Sequence, residues 1–486
     1  MKNSRNFTFT LLVVLFSSLS CGKNFLEEPA RSVTINDLLK SPDGSKRLIG
    51  AVYNKLYAWE VHSFSWNGIS SITSDDAEKG SDPGDTGADK HELDNWTFNP
   101  SAISFSEVWE GNFQGIGRAT YAIKFIPEIT TDPANKDRYI GEAKLLRAYF
   151  YFNLVRTFGG VPKIDKVLET QTEIEAASEK KSEAEIYALI ESDLNDAIAK
   201  LPTTVPAAEN GRLTKGAAQA LLAKASLYQK KWGQAKAMAG AVIASGQYSL
   251  LTNYEMIWRE AGEFSAESIW EVNAKGTTPN KGIEGYFVTQ AIRGGGGLGW
   301  GFNTPSADLV NAYEPNDKRK AATIIFTGQV LWDGFQTNPL APNPFYNYKS
   351  YVSKTQESFN GEDWQSNKNL RILRYAEILL IKAEVENELN NLTAAQTTLN
   401  QIRNRAGLPN TIAASQADLR TAIWKERRVE MAFEHDRMFD LRRTGRAAVV
   451  LKALGKNYIS PKHDLFPIPQ TQINLSNGRL HQNPGY

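Results

Sequence analysis

Apolar residues recur three and four positions apart through several stretches of the chain, the period of a helix with one buried face. The pattern predicts helices over 37–57, 105–129, 137–158, 182–200, 214–230, 232–245, 370–389, 394–406 and 419–444. Helix-ending residues support these limits. Pro42-Asp43-Gly44 interrupts the first, Gly159-Gly160 and Pro162 follow Phe158, and Gly246, Gly407 and Gly445 close three others. Ser182 with Glu185 three residues on is a capping box, each side chain able to satisfy a free backbone N–H of the other.

The helices fall into pairs with a shared local pattern. Leu145-Leu146-Arg147-Ala148-Tyr149, Leu221-Leu222-Ala223-Lys224-Ala225 and Leu379-Leu380-Ile381-Lys382-Ala383 each lie in the first helix of a pair. The stretch 214–249 alternates small and large residues as a tetratricopeptide unit does, through Ala220, Tyr228, Trp232, Ala235, Ala239, Gly246 and Tyr248. A mainly α fold of helical hairpins follows, with little β structure. Repeats are expected at about 37–57, 105–249 and 370–445.

Two long blocks without helical period separate them, at about 59–104 and 250–369, rich in Gly, Pro, Asn and Ser. Nine of the 11 Trp lie in or beside these blocks, so the blocks are not read as disordered. Large aromatics on long loops point to a contact surface.

Lys plus Arg is 55 and Asp plus Glu is 54 in 486 residues, which argues against a nucleic-acid partner, since that needs a basic surplus on one face. One Cys excludes a disulfide framework and a multi-Cys zinc site. That Cys has a telling position. Lys2 and Arg5 precede an apolar stretch, Phe7–Leu19, too short to span a bilayer and right for a secretory signal. Ser20-Cys21-Gly22 follows, a lipoprotein processing site at which Cys21 would be acylated. Residues 1–20 are then the signal peptide, and 21–486 a single domain whose anchor is lipid.

No catalytic constellation emerges. His91-Glu92 lacks the second His of a zinc protease motif, and neither G-x-S-x-G nor a P-loop occurs. Gly294, Gly296 and Gly299 match a dinucleotide fingerprint only formally, because no helix start follows them. They read better as a loop presenting Leu298 and Trp300. Asp75, Asp76, Asp82, Asp85 and Asp89 form an acidic loop that could take calcium, but solvated turns explain it more simply, so no cofactor is expected. Glu426, Glu430 and Glu434, among Lys425, Arg427, Arg428, Arg437, Arg442 and Arg443, read as ion pairing along one helix. The chain is not read as an enzyme.

Several segments resemble one family in its own order. Cys21 through Phe25-Leu26 to Pro29 is similar to its acylated start, and Ser74-Asp75-Asp76-Ala77-Glu78-Lys79-Gly80 to its first-loop motif. Thr304-Pro305-Ser306, Leu309-Val310 and Asp317-Lys318-Arg319 resemble its mid-chain helix. Further on, Arg374 to Glu384, Asn400 to Leu408, and Glu426-Arg427-Arg428 with Asp440-Leu441-Arg442-Arg443 resemble its later signatures. The most specific segment is Leu465-Phe466-Pro467-Ile468-Pro469 with Gln482-Asn483-Pro484-Gly485-Tyr486. The chain is thus identified as resembling the SusD/RagB outer-membrane nutrient-binding lipoproteins. The resemblance implies about four tetratricopeptide-like hairpins packed on a loop-rich, aromatic-rich half. It implies an outward-facing lipid anchor in the outer membrane and a SusC-like TonB-dependent transporter as partner. Many members bind oligosaccharides and some bind peptides. A scaffold subunit without its own ligand site is a further alternative.

Sugar rings stack their apolar faces on flat aromatics and hydrogen-bond at their rims. On that chemistry Trp96, Trp300 and Trp332 are expected to form a platform, with Tyr286 and Phe335 added and Asp76, Asn67 and Arg293 as polar partners. Three faces of about 80–100 Å² each, at about 25 cal/mol per Å², give roughly 6–7 kcal/mol. Against an association cost of at least about 4 kcal/mol, this leaves a dissociation constant in the high micromolar to millimolar range.

Overall fold

The structure is a computed structural model that describes residues 34–486 apart from 83, 86, 88, 275–282, 295–297 and 361–364. Cys21 and the signal segment lie outside the described residues, as does Trp364. Nine helices carry the frame: α1 (Ile103–Phe125), α2 (Lys136–Phe158), α3 (Glu183–Lys200), α4 (Lys215–Tyr228), α5 (Trp232–Ala244), α6 (Tyr375–Glu388), α7 (Leu392–Arg405), α8 (Gln416–Met431) and α9 (Arg437–Arg443). From α1 to α6 each packs on the next, and α6 also packs on α7 and α8, so the hairpins build one continuous layer. Alanines allow the close approach: Ala217, Ala218, Ala220, Ala223 and Ala225 of α4 and Ala235 and Ala239 of α5 are fully buried. Ser182 caps α3 as a capping box, and Thr214 caps α4.

β structure among the described residues is confined to two-stranded antiparallel pairs. Strand β1 (Ala77–Gly80) pairs with β3 (Phe302–Pro305), β2 (Ser268–Val272) with β6 (Leu370–Arg374), and β4 (Ile324–Phe326) with β5 (Phe345–Asn347). The main core lies between the helices. A second one, around Tyr254, Trp258, Ile292, Leu298, Tyr346 and Tyr351, sits beneath the loop half.

The structure departs from the sequence pattern in three places. Residues 370–374 are a strand rather than the start of a helix, because they pair with β2, Trp270 opposite Leu373. The helix expected over 419–444 breaks into α8 and α9 at 432–436, where Phe433 and His435 take left-handed backbone (φ 63° and 66°) with no Gly or Pro to announce it. The break turns Glu434, His435 and Asp436 into the interior. The block 59–104 is not helix-free: it holds short helices at Trp59–His62, Phe64–Asn67 and Lys90–Asn95.

Most Trp of the two blocks are core rather than surface. Trp66, Trp96, Trp109, Trp258 and Trp270 are buried; only Trp300 and Trp332 are strongly exposed among the described ones.

Candidate functional site

The face built around Trp300 starts from a close approach of two backbones. Strands β1 and β3 pair up to Gly80 and Phe302, and the Ser81 N–H donates to the Gly301 carbonyl at 2.6 Å. Gly301 has φ 75°, and a Cβ there would sit 2.7 Å from that of Arg293, so the loop needs glycine. This crossing sets Trp300 on the outside. Its ring lies 5.9 Å from Trp59 and 5.9 Å from Phe64, edge-on to the latter, and Phe64 in turn lies 4.6 Å from the buried Phe302. Trp300 remains 36% exposed, while Trp59 and Phe64 are half-buried.

A polar cluster borders the aromatics. Arg293 Nη1 donates to Ser81 Oγ at 2.9 Å, to Asp85 Oδ2 at 2.8 Å and to the Trp300 carbonyl at 3.3 Å. Asn343 Nδ2 donates to the Ser81 carbonyl at 3.1 Å. Burial raises the Asp85 carboxyl, but the Gly87 N–H, Ser81 and Arg293 outweigh it, and its pKa falls below the ordinary value. Asp85 is therefore a standing acceptor and the guanidinium of Arg293, one-third exposed, a standing donor. Flat apolar faces beside fixed donors and acceptors suit a hydroxyl-rich ring.

Of the residues expected at a platform, Trp300 and Arg293 belong to this face. Trp96 does not. It is 2% exposed, stacked at 5.5 Å on Phe466 and edge-on at 4.7 Å to Tyr458, and its Nε1 donates to the Thr73 carbonyl at 2.9 Å. It is a core residue that seats the C-terminal segment. Asp76 is also interior: Arg428 Nε donates to it at 2.6 Å, beside Asp75, which takes two bonds of 2.7 Å from Arg437. Burial opposes ionisation of Asp75, yet Arg437 and Arg428 win and hold it at about 2. Asn67 is buried against Thr289 at 3.3 Å, and Tyr286 is buried with its hydroxyl donating to the Phe433 carbonyl at 3.3 Å. None of these four is available to a ligand in this conformation. Phe335 is half-buried against Tyr351. Trp332 is 44% exposed but makes no ring contact with the Trp300 group; its ring stacks over the Arg259 guanidinium at 5.2 Å.

Leu298 is buried rather than presented. The acidic loop does not converge on a point, since Asp75 and Asp76 face Arg437 and Arg428, Asp85 faces Arg293, and Asp89 faces Lys90 at 2.7 Å. Glu430 and Glu434 pair across elements rather than along one helix: Arg374 bridges both, at 2.6 and 2.7 Å, and Arg319 reaches Glu430 at 3.0 Å. Glu426 pairs with Arg403 at 2.9 Å. Glu426 and Glu430 tie α8 to α7 and β6, and Glu434 ties the break after α8 to β6. The sequence did not reveal Trp59 and Phe64 as neighbours of Trp300, 241 and 236 residues away; only their aromatic character pointed to them.

The helical-repeat layer thus carries an exposed face of aromatics and a guanidinium. The family of the chain is a matter of direct comparison. The family model described as the SusD family matches residues 266–486, and one described as starch-binding associating with outer membrane matches 36–227. The chain belongs to the SusD family. A SusD-like protein of Formosa agariphila is 27% identical over 530 residues, covering 100% of both chains. Among solved structures, a laminarin-binding SusD-like protein superposes with a TM-score of 0.79 at 29% identity, over 91% of this chain and 99% of its own. A surface glycan-binding protein A from Bacteroides thetaiotaomicron, in complex with laminarihexaose, does so at 0.77 and 26%, over 91% and 99%. No described helix is long and apolar enough to cross a membrane.

Proposed function

We propose that the protein is a cell-surface lipoprotein, acylated at Cys21, that binds an oligosaccharide and passes it to a SusC-like TonB-dependent transporter in the outer membrane. The face formed by Trp300, Trp59 and Phe64 with the Arg293–Asp85 pair carries the reading. It exposes an indole that is held at an angle by Trp59 and Phe64 and bordered by fixed hydrogen-bonding groups, and the relatives that bind laminarin or laminarihexaose have the same fold. Stacking on one exposed indole gives modest affinity and fast release, which suits delivery to a channel. The single domain 21–486 presents this face from the loop blocks, with the repeats as its support.

The test is a binding screen of the protein against neutral and charged polysaccharides, with a peptide pool alongside. A hit on one polysaccharide class that is lost in Trp300→Ala and in Arg293→Ala supports the reading. Binding to peptides alone moves the protein to the peptide-binding branch. Silence on both, with a transporter still co-purifying from solubilised outer membranes, makes it a scaffold subunit.

A further inference from the structure

Trp332 sits at the mouth of its own cavity, of about 260 Å³, lined also by Glu255, Asn253, Lys318, Gln329 and Tyr348. The indole is set in place rather than loosely exposed. Arg259 stacks on it, and Arg259 is itself held by the Tyr351 carbonyl at 3.2 Å and by Glu357 at 3.4 Å. The next residue, Asp333, accepts from the Tyr351 hydroxyl at 2.6 Å and from Ser353 Oγ at 2.5 Å. With one face covered by Arg259, the part of Trp332 left exposed is its other face and edge.

The polar lining is complementary to hydroxyl groups. Glu255 accepts from Tyr348 Oη through one carboxylate oxygen, which leaves the other free. Gln329 Oε1 accepts from the Phe326 N–H at 3.0 Å and Asn253 Oδ1 from the Glu255 N–H at 3.1 Å, so each amide turns its NH₂ donors outward from that bond. Lys318 is exposed and its ammonium makes no ion pair among the described residues. Arg405 also lines the cavity but is paired with Glu267 and Glu430, so Lys318 and Glu255 remain as one charge of each sign. The cavity, of about 260 Å³, has room for a six-membered sugar ring.

We propose that this cavity is a second saccharide site, separate from the Trp300 face, that takes one neutral hexose unit with its apolar face on Trp332. Glu255 accepts from vicinal hydroxyls while Lys318 and Gln329 donate to them. The proposal shares with the function proposed above only the premise that the ligand is a saccharide.

The test uses detergent-solubilised full-length protein labelled with 5-fluorotryptophan, followed by fluorine NMR. The Trp332 and Trp300 signals are assigned by their loss in Trp332→Phe and Trp300→Phe. Glucose, galactose, mannose, xylose, laminarihexaose and oligogalacturonate are titrated in turn. The expected result is a saturable shift of the Trp332 signal with at least one neutral sugar, retained in Trp300→Ala and weakened about tenfold in Glu255→Gln. If the Trp300 signal responds and the Trp332 signal stays still throughout, the second site is overturned and the first stands. If only Trp332 responds, the second site stands and the Trp300 face is not the ligand site. A response of Trp332 to oligogalacturonate alone overturns the neutral-hexose assignment, and silence of both signals overturns both.

Discussion

His62 and His435 are buried beneath the helical layer around a void of about 20 Å³ that also touches Tyr149, Arg156, Lys224, Arg371, Glu434 and Asp436. Burial, reinforced for His62 by the charge His435 would carry, pulls both imidazoles from 6.5 to about 3, so both are neutral in the fold. Unfolded, each takes up a proton below pH ~6.5. Between about 3 and 6.5 the unfolded chain therefore binds more protons than the folded one, and stability falls as pH falls. Between pH ~7.5 and pH ~5, about 1.5 units of that window are crossed, at about 1.4 kcal/mol each, or roughly 2 kcal/mol per histidine. His62→Leu removes one such group. Nε2 of His62 has no hydrogen-bond partner, so the substitution strands none. The assay is urea unfolding of wild type and His62→Leu at the two pH values. Carboxylates that also titrate are present in both proteins and cancel in the difference. The variant should lose about 2 kcal/mol less than wild type on acidification. An identical loss in both proteins, at equal m-values, would refute the assignment of His62 as a buried neutral group.

The remaining predictions concern binding, the core and the anchor. Trp300→Ala removes about 90 Å² of exposed indole, about 2 kcal/mol of contact, and should weaken glycan binding about 30-fold by calorimetry, measured well below the melting temperature because the indole also packs on Trp59 and Phe64. Trp96→Ala should do the reverse, costing about 3–5 kcal/mol of stability in denaturant titration while the affinity of the surviving folded protein is unchanged. Glu430→Ala leaves Arg374 and Arg319 buried without one of their carboxylates and should cost about 3–5 kcal/mol, whereas a surface pair such as Lys124 with Glu128 should cost under about 1. Cys21→Ala should shift the protein from the membrane pellet to the soluble fraction on cell fractionation; persistence in the pellet would show that another feature anchors it.

The helical half of the molecule was legible because its signals are local. Spacing of apolar residues, the Ser182–Glu185 capping box and the glycine stops lie within a few residues of one another, and the observed helices start and end within a few residues of them. The family resemblance is local too: each of its segments is a short run of consecutive residues, on helices at 375–384 and 440–443 and on loop at 465–469 and 482–486. What failed was whatever depends on a distant partner. Arg374 reads as helix until β2 pairs with its segment, and 432–436 reads as helix until burial of Glu434 and Asp436 among Arg374, Lys349, Lys224 and Arg427 makes the break worthwhile.

The candidate site shows the division most sharply. The chain by itself determines that aromatics concentrate in two blocks, and it supplies Trp300 and Arg293. It cannot say which indoles face water, because exposure depends on what the rest of the chain lays over them. Phe466 and Tyr458, more than 360 residues on, bury Trp96, and the Gly80–Gly301 crossing lifts Trp300 out. Composition determines that a sugar-stacking surface is possible; only the tertiary structure, by covering most of the candidates, decides where it is.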